Sequence, residues 1–359
     1  MSDERNQSES PGPRVSRRIK VAPDYYPEPA KFDRELKRAA PIYEELSKAA
    51  AEMINTVRMG QSLQVDLVEK PVADMIKSII RHPDAMVWQR KLASQHQYLS
   101  GHAVRCAVIS VVLGRTMGMV EAQLEQLAMG SLLCQVGKTK LPRKLLEKEG
   151  PLTDEELEKI RQFIPIGVQM LEDAGVSQEI VEIVANHQER LDGSGYPKGK
   201  AENEIPMLAR IVALADWYDA MTTRKPHTEK VISATDAMDE LYKQRDVLFQ
   251  GEVVEAFIQG FGIYPCANFV ELNSGEVALV EAQNRQNRTQ PVIRLVLNSG
   301  KHKMSSYETI DLLKHNKTAE APLTIKRALP DGAFDLDPSE IMAAETSAKK
   351  GWLKGMFGR

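Results

Sequence analysis

The stretch HQERLDGSGYPKG, residues 187–199, is the most specific feature of the sequence. Its three glycines and one proline favour a loop, because glycine adopts backbone angles that other residues avoid and proline fixes one more. On both sides, over residues 97–262, apolar residues recur with helical spacing between short turns such as PLTDEE and DAGVSQ. The pattern predicts an all-helical domain that carries one complex loop. A plain turn that ends a helix is the alternative interpretation.

The sequence outside this domain changes character twice. Residues 1–31 are rich in serine, proline and charged side chains, so they cannot bury enough apolar surface to offset the entropy of ordering. After residue 263, apolar runs flank Asn273-Ser274-Gly275, a turn typical of a β-hairpin. We therefore expect a mainly α chain in five parts: a disordered lead (1–31), an N-terminal helical region (32–95), the loop-bearing helical domain (96–263), a small antiparallel β module (264–322) packed on the helices, and a tail (323–359).

Composition excludes several classes of protein. Lysine and arginine number 47 against 50 aspartate and glutamate, a net charge of −3, so nothing chain-wide favours nucleic acid as a partner. Cys106, Cys134 and Cys266 are odd in number and far apart, which argues against a disulfide framework. No apolar run approaches the roughly 20 residues of a membrane span, and the N-terminus lacks the apolar core of a signal peptide. We expect a soluble, cytoplasmic protein.

Four segments together resemble the HD-GYP domain, a bacterial branch of the HD phosphohydrolase superfamily. They are GHAVR at 101–105, GSLLCQVGKTKLPRKLLEKEGPLTDEE at 130–156, the loop at 187–199 and ARIVALADWYDAMTTRKPH at 209–227. The resemblance implies an all-helical HD-type bundle with an N-terminal helical extension and a small C-terminal antiparallel β module. Active members of that family hydrolyse cyclic di-GMP with two or three metal ions, commonly iron or manganese, which activate a bridging water and neutralise the phosphodiester.

Part of the family's ligand set is present. The resemblance implies retained metal ligands at His102, His187 and Asp216. The other ligand positions carry side chains that depart from the family's pattern: Tyr98, Cys134, Gln135, Phe163 and Gln188. Phenylalanine cannot coordinate a metal, and glutamine is a neutral, weak ligand. We therefore predict that the protein holds no resident cofactor.

Cys134 leaves an alternative open. Its thiolate could join His102, His187 and Asp216 in a four-ligand mononuclear zinc site. In the other interpretation, Cys134 is a small buried apolar residue and the two histidines are hydrogen-bonded core residues. If the site does hold metal, the candidates are iron, manganese and zinc.

The resemblance also indicates groups that would bind the nucleotide. Lys138 matches the family's proton-donating lysine and is the catalytic residue if the protein is active. The candidate nucleotide contacts are Lys138, Arg190, Asp219, Arg224 and Lys225. The cations among them offer charge-assisted hydrogen bonds to phosphate. For each cation alone, a solvated surface position is the alternative interpretation.

The loop that names the family is intact, and its residues are Asp192, Gly193, Ser194, Gly195, Tyr196 and Pro197. In the family this loop has been linked to partner proteins, notably diguanylate cyclase (GGDEF) domains. An intact loop beside replaced metal ligands favours a non-catalytic sensor or adaptor in cyclic di-GMP signalling. Two hypotheses stay open beside it: a phosphodiesterase with altered metal ligation, and a helical scaffold that binds proteins and no nucleotide.

The two ends of the chain add further expectations. The helices between residues 32 and 95 are candidates for a homodimer contact. The final segment AKKGWLKGMFGR, residues 348–359, combines basic and aromatic side chains, which suits a membrane surface or a groove on a partner. Its three glycines oppose a stable helix, so a solvated tail is the alternative.

Overall fold

The protein is mainly α-helical with a small antiparallel sheet, which confirms the predicted fold class. The computed structural model describes residue 26 and residues 30–92, 98–223 and 231–342. Most of the predicted lead (1–31) and the end of the predicted tail, including the basic and aromatic segment, therefore lie outside the described residues. No helix within these ranges combines the length and the apolarity that crossing a lipid bilayer requires.

Three helices form the N-terminal region: α1 (Phe32–Arg58), α2 (Asp66–Arg81) and α3 (Pro83–Leu92). The carboxylate of Glu35 is fully buried between the first two. It accepts a hydrogen bond of 2.7 Å from Ser78 and two of 2.6 and 2.8 Å from Arg81. A buried charge is tolerated when it is paired and hydrogen-bonded, so this cluster holds α1 against α2.

The loop-bearing domain is built from helices that are connected by short turns. In the described ranges they are α4 (Tyr98–Thr116), α5 (Glu121–Leu133), α6 (Arg143–Leu146), α7 (Asp154–Arg161), α8 (Phe163–Asp173), α9 (Gln178–Asn186), α10 (Met207–Thr222), α11 (Ala234–Lys243) and α12 (Gly251–Phe261). A 3₁₀ turn at Val136–Lys140 follows α5. The side chains of Thr153 and Glu156 exchange hydrogen bonds with each other's backbone N–H, which is the capping box that starts α7.

Helix α10 lies at the centre of this domain and packs against α4, α5 and α9. Helices α4 and α10 are apolar around most of their circumference, as expected for helices enclosed by others. Asp216 and Asp219 on α10 are therefore carried into the interior, where 6% and 0% of their surface is exposed. The polar centre of the molecule is built around these two carboxylates.

The C-terminal sheet has five antiparallel strands in the order β4-β3-β2-β1-β5. They are β1 (Phe269–Leu272), β2 (Val277–Ala282), β3 (Val292–Leu297), β4 (Thr309–Asp311) and β5 (Ile325–Ala328), and α13 (Leu312–His315) follows β4. The pairing of β1 with β2 agrees with the predicted hairpin at residues 273–275. The sheet extends beyond the predicted limit at residue 322, because β5 pairs along the free edge of β1. Strand β5 is short and half-exposed, so it lacks the apolar run that marks the other strands in sequence.

Helix α3 connects the sheet to the helical body. Trp88 Nε1 donates a hydrogen bond of 2.6 Å to the carbonyl oxygen of Glu281. Asp84 accepts one of 2.8 Å from the backbone N–H of Gln283. A sheet of this size needs such support, because small isolated sheets are marginally stable.

Replacing Gly137, in the 3₁₀ turn after α5, with alanine should destabilise the fold. A Cβ there would clash with the carbonyl oxygen of Phe163 and lie 2.7 Å from the amide nitrogen of Gly167. In urea denaturation, Gly137→Ala should lower the free energy of unfolding by about 1–3 kcal/mol, the usual cost of overpacking. Gly167→Ala is the matched control, because its new Cβ would meet the nearest atom at an ordinary 3.5 Å. Equal stability of the two variants would contradict the close approach of this turn to α8.

Candidate functional site

The carboxylate of Asp216 is the centre of the site. Its Oδ1 atom accepts hydrogen bonds from Gln135 Nε2 at 2.6 Å and from His102 Nε2 at 2.9 Å. Its Oδ2 atom accepts one from Gln188 Nε2 at 2.8 Å. All three donors are buried. The structure thus places two retained ligand positions, His102 and Asp216, beside two replaced ones. The replaced positions are Gln135 and Gln188, and their amides donate hydrogen bonds.

His102 joins Asp216 to a second buried carboxylate. Its Nδ1 lies 2.8 Å from Asp219 Oδ2, while its Nε2 faces Asp216. An ionised carboxylate only accepts hydrogen bonds, so both ring nitrogens carry hydrogen and the side chain is an imidazolium. Asp219 also accepts hydrogen bonds from Arg105 Nε at 2.9 Å and Arg90 Nη1 at 3.4 Å. Neither arginine was among the predicted site residues, although Arg105 lies one turn after His102 on the same helical face.

The pKa values of these groups follow from their pairing. Burial alone would lower the pKa of His102, but the Cys106 sulfur and the hydrogen bonds to both aspartates raise it well above 6.5. Burial alone would raise the pKa of Asp216, but His102 holds it well below 3.8. Burial also opposes ionisation of Asp219, and Arg105 and His102 together hold its pKa below the usual value. The centre is therefore a network of charged groups.

His187 differs from His102 in its protonation. Its Nδ1 donates a hydrogen bond of 2.7 Å to the carbonyl oxygen of Val184, so the neutral ring carries its lone pair on Nε2. That atom is buried and has no hydrogen-bond partner among the described residues. The ring of Phe163 packs edge-on at 5.7 Å, and burial lowers the pKa of His187 to about 4. His187 is a neutral imidazole with one unused nitrogen.

Two groups of side chains in the described ranges have ligand atoms close enough for a metal ion. They are Cys134 with His187 and Asp216, and His102 with Cys106 and Asp219, each with ligand atoms within 4.8 Å of one another. A bridged pair of iron or manganese ions needs several imidazole and carboxylate ligands. Both nitrogens of His102 already face carboxylates, and both oxygens of Asp216 already accept hydrogen bonds. The donor set does not fit a bridged pair, and the first group fits at most one tetrahedral ion.

The two cysteines beside the centre are buried thiols. Cys134 Sγ donates a hydrogen bond of 3.1 Å to the carbonyl oxygen of Ser131, and burial raises its pKa well above 9. Cys106 Sγ lies 3.6 and 3.7 Å from the ring nitrogens of His102, and burial raises its pKa to about 12. The thiolate is the form that binds metal, so either sulfur would have to lose its proton to act as a ligand. Cys106 was not among the predicted site residues, although it follows His102 by four residues on the same helix.

The loop after α9 is held at its base by Glu189. The Oε1 atom accepts a hydrogen bond of 2.8 Å from the backbone N–H of Lys198, and Oε2 accepts one of 3.0 Å from that of Lys200. Gly195 lies so close to the backbone of Glu189 and Arg190 that a Cβ would clash with both. The chain can approach itself this closely only at glycine, which explains the residue type at this position.

The tip of the same loop faces outward. Asp192, Ser194 and Pro197 are exposed, and Asp192 accepts a hydrogen bond of 2.9 Å from the backbone N–H of Ser194. Tyr196 is half-buried, and the guanidinium of Arg161 lies 4.9 Å from its ring centre. The predicted partner loop therefore combines a fixed base with an accessible tip.

Three of the five predicted nucleotide contacts, Lys138, Arg190 and Asp219, lie within the described residues. Lys138 is half-buried, and its ammonium group lies 4.8 Å from the ring centre of Phe163. Arg190 donates hydrogen bonds to two backbone carbonyls at the base of the loop. Asp219 is fully buried and ion-paired with His102 and Arg105, and its contact with nucleotide stays a prediction. Arg224 and Lys225 lie outside the described residues.

The two central histidines should be in opposite protonation states at neutral pH. Ring ¹⁵N chemical shifts of metal-free protein should report imidazolium at His102 and neutral imidazole at His187, with the signals assigned by His102→Gln and His187→Gln. The raised pKa of His102 means that its pairing stabilises the fold below pH 6.5 and that this stability is lost as pH rises through the raised value. The lowered pKa of His187 means that stability falls as pH falls from 6.5 to about 4. A neutral His102 at pH 7 would refute the bridge between the aspartates.

Glu189→Gln should loosen the base of the loop. It replaces a charged acceptor of two backbone N–H groups with a neutral side chain, at a cost of about 1–2 kcal/mol. Amide exchange at Lys198 and Lys200 should accelerate by about tenfold, the ratio that corresponds to 1.4 kcal/mol. Glu179→Gln, on the exposed side of α9, is the control and should leave both rates unchanged. Unaltered exchange in Glu189→Gln would disprove the anchoring role.

Comparisons with known proteins agree with this architecture. Residues 87–253 match the family model described as HD domain. The cyclic di-GMP phosphodiesterase PA4108 of Pseudomonas aeruginosa is 29% identical over 295 residues, which cover 81% of this chain and 71% of that protein. The cyclic di-GMP phosphodiesterase PdeB of Borreliella burgdorferi is 30% identical over 211 residues, which cover 59% of this chain and 55% of that protein. The chain thus spans about half the length of the Borreliella relative.

A solved structure has the same fold. Bd1817, an HDG"Y"P protein from Bdellovibrio bacteriovorus, superimposes with a TM-score of 0.52 at 19% identity, over 65% of this chain and 74% of that one. The helical domain, the loop and the relatives lead to the same assignment: residues 87–253 match an HD domain, and the chain is an HD-GYP-like relative of proteins named cyclic di-GMP phosphodiesterases.

Proposed function

We propose that the protein acts in cyclic di-GMP signalling as a non-catalytic HD-GYP-like adaptor or nucleotide sensor. The observation that carries the proposal is the set of protein donors around the carboxylate of Asp216. Both of its oxygens accept hydrogen bonds from these donors. Two of the donors, Gln135 and Gln188, stand where the resemblance implies metal ligands. An amide N–H directed at the carboxylate uses a lone pair that would otherwise be open to a metal ion.

Protein groups supply positive charge to the centre. The imidazolium of His102 and the guanidinium of Arg105 face the charges of Asp216 and Asp219. A buried ion costs several kcal/mol unless it is paired, and here each carboxylate is paired within the chain. This internal pairing of both carboxylates supports a structural role for the centre that requires no resident cofactor.

The loop supports the role of adaptor. Glu189 holds its base, while Asp192, Ser194 and Pro197 remain accessible at its tip. Rigid backbone with exposed polar groups lowers the entropy that a protein partner must offset on binding. A diguanylate cyclase (GGDEF) domain is the partner that the resemblance favours, in the cytoplasm.

Lys138 supports the role of sensor. It lies in the turn after α5, close enough to Asp216 and His187 to influence the pKa of both side chains. An ammonium group at the edge of the centre can contact a phosphate of cyclic di-GMP without any group that cleaves the ester. Binding without turnover is the expected property of such a sensor.

A second candidate function is phosphodiester hydrolysis with altered metal ligation. The observation that favours it is the group formed by Cys134, His187 and Asp216, in which His187 Nε2 is unused. A single zinc ion held there would act as a Lewis acid on a phosphate oxygen. Lys138 would then be the proton donor.

Metal content and turnover separate the two candidates. Protein purified without added metal should contain substoichiometric iron, manganese and zinc, and it should not hydrolyse cyclic di-GMP when each metal is supplied. The variant Cys134→His/Gln135→Asp/Phe163→His/Gln188→His restores the family's ligand types and should gain bound metal. Two bound ions per wild-type chain together with hydrolysis would overturn the proposal. One bound zinc with hydrolysis that Asp216→Ala abolishes would establish the second candidate.

Calorimetry on the same preparation separates sensor from adaptor. A sensor should bind cyclic di-GMP with micromolar affinity and release or absorb heat on binding. The affinity should be weaker in Lys138→Ala and unchanged in Lys140→Ala. Lys140 is the matched control because it lies two residues away and is exposed. No heat from cyclic di-GMP indicates an adaptor or scaffold that recognises protein alone.

A further inference from the structure

A second polar region lies one helical turn from Asp216, on the side that faces the sheet. It is a cavity of about 360 Å³ enclosed by the end of α3, by α4, by the C-terminal end of α10 and by residues 331–339. Arg90 and Arg105 line it. Its size lies within the range of small-molecule sites in proteins, roughly 300–1,000 Å³. No contact assigned above to the metal positions or to the loop uses this space.

Two guanidinium groups in this cavity share one carboxylate. Arg105 and Arg90 donate hydrogen bonds to Asp219 at 2.9 and 3.4 Å. The exposed fraction of the residue is 5% for Arg105, 8% for Arg90 and 0% for Asp219. Two buried cations therefore face one buried anion, and Asp219 divides its charge further with His102. A buried surplus of positive charge is costly unless an anion balances it.

Each arginine also keeps a donor that no described residue satisfies. Arg90 Nε and Arg105 Nη2 are buried and have no hydrogen-bond acceptor. Native proteins rarely leave buried charged donors unpaired, and each one left so costs more than about 1–3 kcal/mol. Both side chains line the same cavity, so one acceptor group with several oxygens can reach both guanidinium groups.

The remaining walls suit a small polar molecule. The ring centre of Tyr218 lies 5.6 Å from the guanidinium carbon of Arg90 and provides a flat wall. Thr222, Thr223 and Asn268 also line it, and their hydroxyl and amide N–H groups already donate within the chain. Their oxygens remain as acceptors, so the lining combines cations for an acidic group with neutral acceptors for the rest of a ligand.

Two carboxylates near the cavity are engaged by the protein. Asp331 is paired with Lys91 at 2.6 and 2.8 Å. Asp337 accepts hydrogen bonds from the backbone N–H and the hydroxyl of Ser339 at 2.7 and 2.6 Å. Lys91 therefore balances the charge of Asp331, Asp337 keeps its negative charge, and the two buried cations of the lining are Arg90 and Arg105.

We propose that this cavity binds a phosphate group, presented as free orthophosphate or as the phosphate monoester of a small molecule, through Arg90 and Arg105. Guanidinium groups bind phosphate with paired, charge-assisted hydrogen bonds, and a tetrahedral oxyanion can accept from two of them at once. Because both arginines also contact Asp219, the ligand lies two hydrogen-bonded steps from His102. This site is separate from any cyclic di-GMP contact at Lys138, and it does not rest on the proposed function.

Titration calorimetry and thermal melting of the full chain test the proposal. Orthophosphate and 5′-AMP are the two probes, and they distinguish the free ion from a monoester; succinate is the carboxylate control. Binding should raise the melting temperature of the wild type by mass action. Arg90→Gln should weaken affinity by about tenfold, the loss of one charged hydrogen bond. Arg143→Gln removes an exposed, ion-paired arginine elsewhere and should leave the affinity unchanged.

A cavity-filling variant keeps the test decisive. Ala234 lines the cavity at the start of α11, and Ala234→Phe would occupy the space while both arginines remain. It should abolish binding even if Arg90→Gln fails to fold. The absence of binding by both phosphate probes to the wild type would overturn the proposal. Equal affinity in wild type and Ala234→Phe, or succinate binding as tightly as phosphate, would overturn it as well.

Discussion

Asp216 and Asp219 lie one helical turn apart on α10, and both are buried. A carboxylate in that setting must meet donors from other elements, because an unpaired buried charge costs several kcal/mol. His102 bridges the two, and Arg105, one turn further along α4, completes the pairing of Asp219. The relative position of α4 and α10 is therefore specified by an ionic contact in addition to the burial of apolar surface.

The amides of Gln135 and Gln188 supply further hydrogen bonds that the buried carboxylate of Asp216 needs. Each reaches Asp216 from a different element, one from the turn after α5 and one from the end of α9. An amide N–H donates a hydrogen bond where a histidine or carboxylate ligand would offer a lone pair, so both side chains here satisfy the charge of Asp216.

Two further regions extend from this centre. Toward solvent, Glu189 follows Gln188 and anchors the loop whose tip is exposed. Toward the sheet, Asp219 shares its charge with two arginines that line a cavity. The buried carboxylates thus connect the exposed loop with the cavity lined by the two arginines.

The sequence predicted the local structure well. The hairpin turn before β2 stands where the residue pattern placed it, because it depends on neighbours a few positions away. The resemblance also singled out His102, Gln135 and Gln188, the three side chains that donate hydrogen bonds to Asp216. Strand β5 was missed, because its partner β1 lies far away in the chain and its own apolar pattern is weak.

The sequence by itself determined the helical class, the element types and the identity of the substituted ligand positions. Only the tertiary structure decided how those side chains pair. Gln135 is a donor to a carboxylate 81 residues away, and Arg90 reaches Asp219 across 129 residues. Backbone propensity and hydrophobic periodicity act over one or two turns, whereas a hydrogen bond or an ion pair between elements exists only at distances set by the packing of the whole chain.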